Sequence, residues 1–273
     1  MDLRLAGKAA LLVGAGRGIG GAAAVALARE GCSVAVVART AAAVQERARL
    51  CLAAGAPKAI GIAADATSPE QLKAAVARAA AELSGIDILV TLVGGGQPGG
   101  TADTDDAGWE SAFARNLWPA VRASRLALPH LIESATRNGA ADASSAGQLA
   151  RSGTVIIHVA SIWGREGGGP LTYNAAKAAV LSLAHEQARE LAPRGIRVCS
   201  IAPGSILHPG GSWERRLAQD PAGTTAFVQR EIPFQRFGAA DEVADVIAFL
   251  CSARASWIAG SCVVVDGAQS RSF

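Results

Sequence analysis

The sequence predicts an α/β chain built on one doubly wound, seven-stranded parallel sheet with helices on both faces. Three observations carry that expectation. Short apolar segments rich in β-branched residues alternate with Ala-rich helical segments along all 273 residues, the pattern of a parallel sheet buried on both faces. A glycine cluster follows the first strand and opens the first helix. Half of the residues are hydrophobic, ample for such a core, yet no apolar run reaches the roughly 18 residues that span a bilayer.

Strands are expected at Ala9–Val13, Ser33–Ala38, Ala59–Ala63, 87–93, 154–160, 197–202 and Cys262–Val265, where β-branched runs coincide with glycine boundaries. Helices are expected at 18–30, 41–54, 69–83, 108–133, 173–192 and 240–252. Ser68-Pro69 supplies an N-cap and a first-position proline for the third helix. Asp241 and Glu242 place negative charge in the first turn of the last. Two stretches break the rhythm. Residues 138–152 are small and polar, and read as a surface excursion. Residues 205–237 mix Pro209, Gly210, Gly211, Pro221, Gly223 and Pro233 with Trp213, Phe227 and Phe234, and read as a mobile substrate flap with one apolar face. Neither a linker nor a repeat appears, so 1–273 is expected to be one domain.

Charge and cysteines narrow the functional classes. A net charge of +3 with no basic run argues against a nucleic-acid partner, and Arg189, Arg194 and Arg197 read as cations near a helix end. Cys32, Cys51, Cys199, Cys251 and Cys262 are dispersed, with neither a C-x-x-C pair nor a metal-ligand histidine spacing. They read as reduced core cysteines, and no metal is expected. With no signal-like apolar stretch after Met1, the expected location is the cytoplasm, away from membranes.

The strand Ala9–Val13 runs into Gly14-Ala15-Gly16-Arg17-Gly18-Ile19-Gly20. Glycines let the backbone approach a diphosphate, and the following helix N-terminus offers free N–H groups, as in a Rossmann-type dinucleotide site. The spacing is G-x-x-x-G-x-G, and a plain tight turn is the competing reading. The second strand ends Ala38-Arg39-Thr40. A ribose 2′-hydroxyl calls for a carboxylate there and a 2′-phosphate calls for arginine, so Arg39 with Arg17 points to NADP(H). Two solvated surface arginines are the alternative.

Tyr173 is the only tyrosine, and Lys177, one of four lysines with Lys8, Lys58 and Lys73, follows it by one helical turn. The two therefore project from one helix face. A free phenol titrates near 10, and a neighbouring ammonium is expected to lower it towards neutral pH, where an acid/base catalyst works best. Ser161 falls at the end of the fifth strand, where doubly wound sheets place their ligand crevice. Its hydroxyl is suited to hold a substrate oxygen.

With these motifs in place, the sequence resembles the short-chain dehydrogenase/reductase family, in the branch of the 3-oxoacyl-thioester reductases, from about residue 5 to residue 267. The resemblance implies a catalytic set of Asn116, Ser161, Tyr173 and Lys177, with Asn116 supporting a relay water. It also implies a cofactor set of Gly14, Arg17, Gly18, Ile19, Gly20, Arg39, Asp65, Gly94, Tyr173, Lys177, Pro203 and Gly204, in which Asp65 meets the adenine amino group. Several positions depart from the family pattern. The usual Asn-Asn-Ala-Gly is Thr91-Leu92-Val93-Gly94, which removes amides that brace the central sheet. Val13 replaces a Thr, Cys199 an Asn, and His208 stands where a Thr often meets the cofactor.

The implied function is NADP(H)-dependent hydride transfer between a nicotinamide and a carbonyl or alcohol, such as a ketone or 3-oxoacyl-type substrate. Gln97, Trp163, Leu207 and Trp213 are the substrate-lining candidates, joined by Gly96 and Phe227. A non-catalytic NADP(H)-binding sensor is the main alternative, although it would have no use for the Tyr/Lys pair. Sugar epimerases and dehydratases share that pair but carry a larger C-terminal domain. The resemblance also implies a homotetramer, or at least a homodimer, because in that family the long helices at 108–133 and 173–192 form a four-helix dimer interface.

Overall fold

β1 (Ala9–Val13) is buried at every position, and its neighbours explain why. It pairs in parallel with β2 (Ser33–Ala38) on one side and β4 (Ile88–Thr91) on the other. The computed structural model describes residues 1–96, 99–140 and 153–272. Its main sheet also holds β3 (Ala59–Ala63), β5 (Thr154–Val159), β6 (Ile196–Pro203) and β9 (Cys262–Val265), in the order β3-β2-β1-β4-β5-β6-β9. All pairings are parallel. The strand order reverses between β1 and β4, which opens the ligand crevice of a doubly wound sheet at their carboxyl ends.

Side chains alternate along each strand and so serve two cores. Ala10, Leu12, Val36, Val90 and Ile157 pack with helices α1 (Gly18–Arg29) and α9 (Ala240–Cys251). Leu11, Val13, Leu89, Ile156 and Val198 pack with α3 (Pro69–Leu83), α5 (Trp118–Ala135) and α6 (Leu171–Leu191). α2 (Ala41–Ala53) follows β2 and adds Val44 and Cys51 to the first core. The Ser68 side chain caps α3 by accepting from Gln71 N.

The expected helix at 108–133 is two helices, α4 (Asp106–Asn116) and α5, broken at Leu117. Pro119 has no N–H, and its ring would clash with the carbonyl of Arg115 in a continuous helix. β4 stops at Thr91 rather than at 93 because Gly94–Gly96 leave the ladder. Arg197 does not serve the helix end ahead of it. It lies buried in β6, where its guanidinium donates to the carbonyls of Leu250, Ser252 and Ile258 and so satisfies groups at and beyond the end of α9.

The 205–237 segment is more ordered in shape than its turn-formers suggest. It forms β7 (Ile206–Leu207), α7 (Ser212–Gln219) and α8 (Pro221–Glu231), and β7 pairs with β8 (Gly238–Ala239). Pro221 sits at the start of α8, where its missing N–H costs nothing. Of the expected excursion at 138–152, residues 141–152 lie outside the described residues. Cys32, Cys51, Cys199 and Cys251 are buried and Cys262 half-buried, and burial pushes the Cys32 thiol up to about 12. No described helix is long and apolar enough to cross a membrane.

Candidate active site

The crevice at the β1/β4 reversal is built on close backbone approach. Gly14 has φ +93°, and a Cβ there would lie 2.9 Å from the amide nitrogen of Val93. A Cβ on Gly20 would lie 2.7 Å from Ala15 Cα. α1 begins without a side-chain cap and without an acid in its first turn, which leaves its N–H groups and positive dipole end available to an anion. Ile19 packs against the first core rather than into the cradle. These features fit a dinucleotide diphosphate.

At the adenosine end, Asp65 accepts from the backbone N and the hydroxyl of Thr67, both at 2.8 Å. These bonds, with the nearby Arg39 charge, lower its pKa. Arg39 is exposed. Arg17 is also exposed, but it leans towards the flap, with Nη1 2.5 Å from where a Gly210 Cβ would be. Pro203 ends β6, and Gly204 donates to Val265 O at 3.0 Å.

Four candidate catalytic side chains converge beyond β4 and β5. Ser161 caps a short 3-10 turn, Ile162–Gly164, by accepting from Trp163 N, and its hydroxyl is close enough to the Tyr173 phenol to lower that group's pKa. Lys177 is 3% exposed and donates from Nζ to Val159 O at 3.0 Å and Val93 O at 3.5 Å. Its Nζ lies 5.7 Å from the centre of the Tyr173 ring. Asn116 ends α4 at the break with α5, and there its Oδ1 accepts from Gly95 N while Nδ2 donates to Gly95 O and Ala112 O. Gly94 holds the group together. A Cβ on it would lie 2.8 Å from both Asn116 Oδ1 and Lys177 Nζ.

Electrostatics here run against one expectation. Burial raises the Tyr173 pKa above its ordinary 10, and the Ser161 hydroxyl only partly offsets this. Burial also pushes Lys177 down to about 8. The ammonium points to carbonyls rather than to the phenol oxygen, so desolvation outweighs its pull on the phenolate. The site therefore holds a protonated phenol, the state needed to donate to a carbonyl oxygen.

The substrate candidates separate. Trp163 stands beside Ser161 and packs over Gly168 and Gly169. Trp213 is half-buried, stacked on Phe227 at 4.7 Å and tilted on Phe237 at 5.1 Å within the 205–237 segment. Leu207 lines a cavity of about 490 Å³ with Leu217, Thr224 and Val228, away from Tyr173. The aromatic side chains of this segment thus meet one another, a pairing that a loop reading could not show. Gln97 lies outside the described residues.

Sequence reasoning missed the brace that replaces the absent amides. Thr91 Oγ1 meets His158 Nδ1 at 2.7 Å, and His158 Nε2 meets Gln187 Oε1 at 2.9 Å. This chain ties β4 to β5 and α6. Burial lowers the His158 pKa to about 4, so the ring is neutral. A histidine inside an otherwise apolar strand, Val155–Val159, was the available signal. Glu166 was also missed. Its carboxylate accepts from Arg271 N and Ser272 N and anchors the C-terminal segment on the loop after Ser161.

A doubly wound sheet with a glycine cradle at its reversal point, and a Ser-Tyr-Lys group beyond β4 and β5, defines a Rossmann-type α/β chain. The profile of the family described as enoyl-(acyl carrier protein) reductase matches residues 14–268. Cis-4-hydroxycyclohexanecarboxylate dehydrogenase of Sinomonas cyclohexanicum is 33% identical over 98% of each chain. L-sorbose reductase from Gluconobacter frateurii, complexed with NADPH and L-sorbose, superposes with TM-score 0.87 at 29% identity and full coverage of both chains. A 7α-hydroxysteroid dehydrogenase, complexed with NADH and 7-oxo glycochenodeoxycholic acid, gives TM-score 0.84 at 29% identity, covering 99% of this chain and 97% of that one. The chain belongs to the short-chain dehydrogenase/reductase family of oxidoreductases.

Proposed function

We propose that this chain is an NADP(H)-dependent oxidoreductase that interconverts a ketone and a secondary alcohol. The convergence of Ser161, Tyr173 and Lys177 beside Gly94 carries the reading. When bound, the nicotinamide supplies or accepts the hydride. Tyr173 holds the proton given to the carbonyl oxygen, and Ser161 fixes that oxygen by hydrogen bonding to it. Lys177 stands beside the phenol with donors to spare for a ribose hydroxyl. Asn116, bonded to both polar groups of Gly95, keeps the Gly94–Gly96 backbone in place and is suited to support a relay water. Gly14, Gly18 and Gly20 admit the diphosphate, Gly94, Pro203 and Gly204 shape the nicotinamide end, and Asp65 meets the adenine.

Preference for the 2′-phosphate rests on Arg39, exposed at the end of β2 where no carboxylate stands, with Arg17 able to swing from Gly210. Trp163 favours a substrate with an apolar ring or chain. Assembly as a homotetramer, or at least a homodimer, is part of this reading and rests on the family resemblance of the long helices, here α4, α5 and α6. Light scattering that gave a monomer mass at micromolar concentration would refute that assembly.

Tyr173→Phe tests the mechanism. The variant keeps the ring and loses the hydroxyl. Turnover of the best ketone, followed by NADPH absorbance, should fall by about 10²–10⁴-fold, with NADPH affinity retained within a few fold. A variant that keeps most of its activity overturns the assignment.

A further inference from the structure

One titratable side chain at the cradle has no part in the proton transfer above. The His208 imidazole is wedged between the glycine turn and the start of α7. A Cβ on Gly18 would lie 2.8 Å from both Cε1 and Nε2 of the ring, and one on Gly211 would lie 2.9 Å from Cε1. Gly18, at φ +56°, is thus the residue over which the ring sits. Nδ1 lies 3.1 Å from Pro209 O, so Nδ1 carries the proton and donates it. This leaves Nε2 with its lone pair at the mouth of the cradle, without a hydrogen-bond partner among the described residues.

The surroundings favour an anion. α1 opens with neither a cap nor an acid in its first turn. Arg17 lies over Gly210, while from α7 Arg215 donates to Gly210 O at 2.9 Å and Glu214 accepts from Gly210 N at 2.7 Å. Among the described residues, Arg17, Arg215 and Glu214 gather at Gly210, two residues from His208, so positive charge outnumbers negative there. A neutral Nε2 presents its lone pair to a diphosphate oxygen and repels it. Protonated, the same nitrogen donates a charge-assisted bond.

We propose that His208 is a ligand of the cofactor diphosphate, and that it takes up a proton at Nε2 as the dinucleotide binds. The inference rests on the dinucleotide reading given under Proposed function. Imidazole changes charge between pH 5 and 8, so cofactor affinity rises as pH falls through that range. The balance is one proton taken from solvent onto Nε2 and one N–H···O bond formed to the phosphate.

The test is calorimetric titration of the full chain with NADPH and with NADH at pH 6 and pH 8, each in two buffers of different ionisation enthalpy. Native protein is compared with His208→Gln and His208→Arg. The variant-to-native ratio cancels titration of the cofactor's own 2′-phosphate, and NADH lacks that group. His208→Gln should weaken both cofactors by about tenfold at pH 6 and by about twofold or less at pH 8. His208→Arg, permanently charged, should bind with little pH dependence and without the extra proton uptake of the native protein. A ratio for His208→Gln that is the same at both pH values overturns the proposal. Tighter binding by His208→Gln does so too, because the ring would then be an obstruction. If native protein binds neither cofactor, the dinucleotide reading falls with it. If native protein binds normally and only the pH effect is missing, the role of His208 alone is refuted.

Discussion

Replacing Lys177 by Met should make this protein more stable at neutral pH while removing most of its activity. The ammonium is buried, and burial alone pushes its pKa down to about 8, with no carboxylate offsetting the desolvation. Compared with the 10.5 of an unburied lysine, that corresponds to about 3 kcal/mol of folding stability forgone at pH 7. Met has a similar length and fills the space without a charge. The substitution forfeits the bonds to Val159 O and, more weakly, Val93 O, worth about 1 kcal/mol each or less. The net gain is about 1–2 kcal/mol, or a rise of about 2–8 °C in Tm for a chain of this size.

The pH dependence separates this cause from a packing effect. Between about pH 8 and 10.5 the unfolded chain still binds the proton that the folded chain has released, so native stability rises with pH. The advantage of the Met variant should therefore shrink over that window and reverse near its upper end, where the forfeited hydrogen bonds outweigh what is left of the charge penalty. Scanning calorimetry at pH 7 and pH 10, with NADPH turnover measured alongside, would decide. A Met variant that melts below native protein at pH 7, or an advantage that does not change with pH, would refute the argument.

Two further outcomes follow from the same geometry. Gly94→Ala places a methyl group 2.8 Å from the positions of Asn116 Oδ1 and Lys177 Nζ, and the displacement should cut kcat by about 10²-fold with the fold intact by circular dichroism. Arg39→Leu should weaken NADPH by about 10- to 150-fold and leave NADH nearly unchanged in fluorescence titration, and equal losses would make Arg39 structural.

The seven strands of the sheet were legible because their apolar runs are short and rich in β-branched residues, and those of β1, β6 and β9 are followed within two residues by Gly14, Gly204 and Gly267. The cradle was legible from its glycines, since Gly14 and Gly20 sit where any side chain would strike backbone. Tertiary context decided the parts that were not. The break at Leu117 depends on Pro119 overriding a long helical pattern, and the flap aromatics could be assigned to a substrate only while their mutual stacking was invisible. Trp213 reads as a ligand-facing residue in sequence because composition cannot say which partner an aromatic meets.

The direction of the tyrosine shift is the more instructive case. The Tyr/Lys spacing places both groups on one helix face, and spacing alone suggests that the ammonium lowers the phenol. What the spacing omits is where the ammonium is anchored. Val159 O lies at the end of β5 and Val93 O two residues beyond the end of β4, strands braced together by Thr91 and His158, so Lys177 is held by the sheet rather than by its helix neighbour. Gly94 lets the chain pass close enough for that anchoring, and the cost is a lysine without a counter-charge. A buried cation whose nearest bonds are to neutral carbonyls has donors left over, and the phenol, its pKa raised by burial, stays protonated, as the proposed reduction requires.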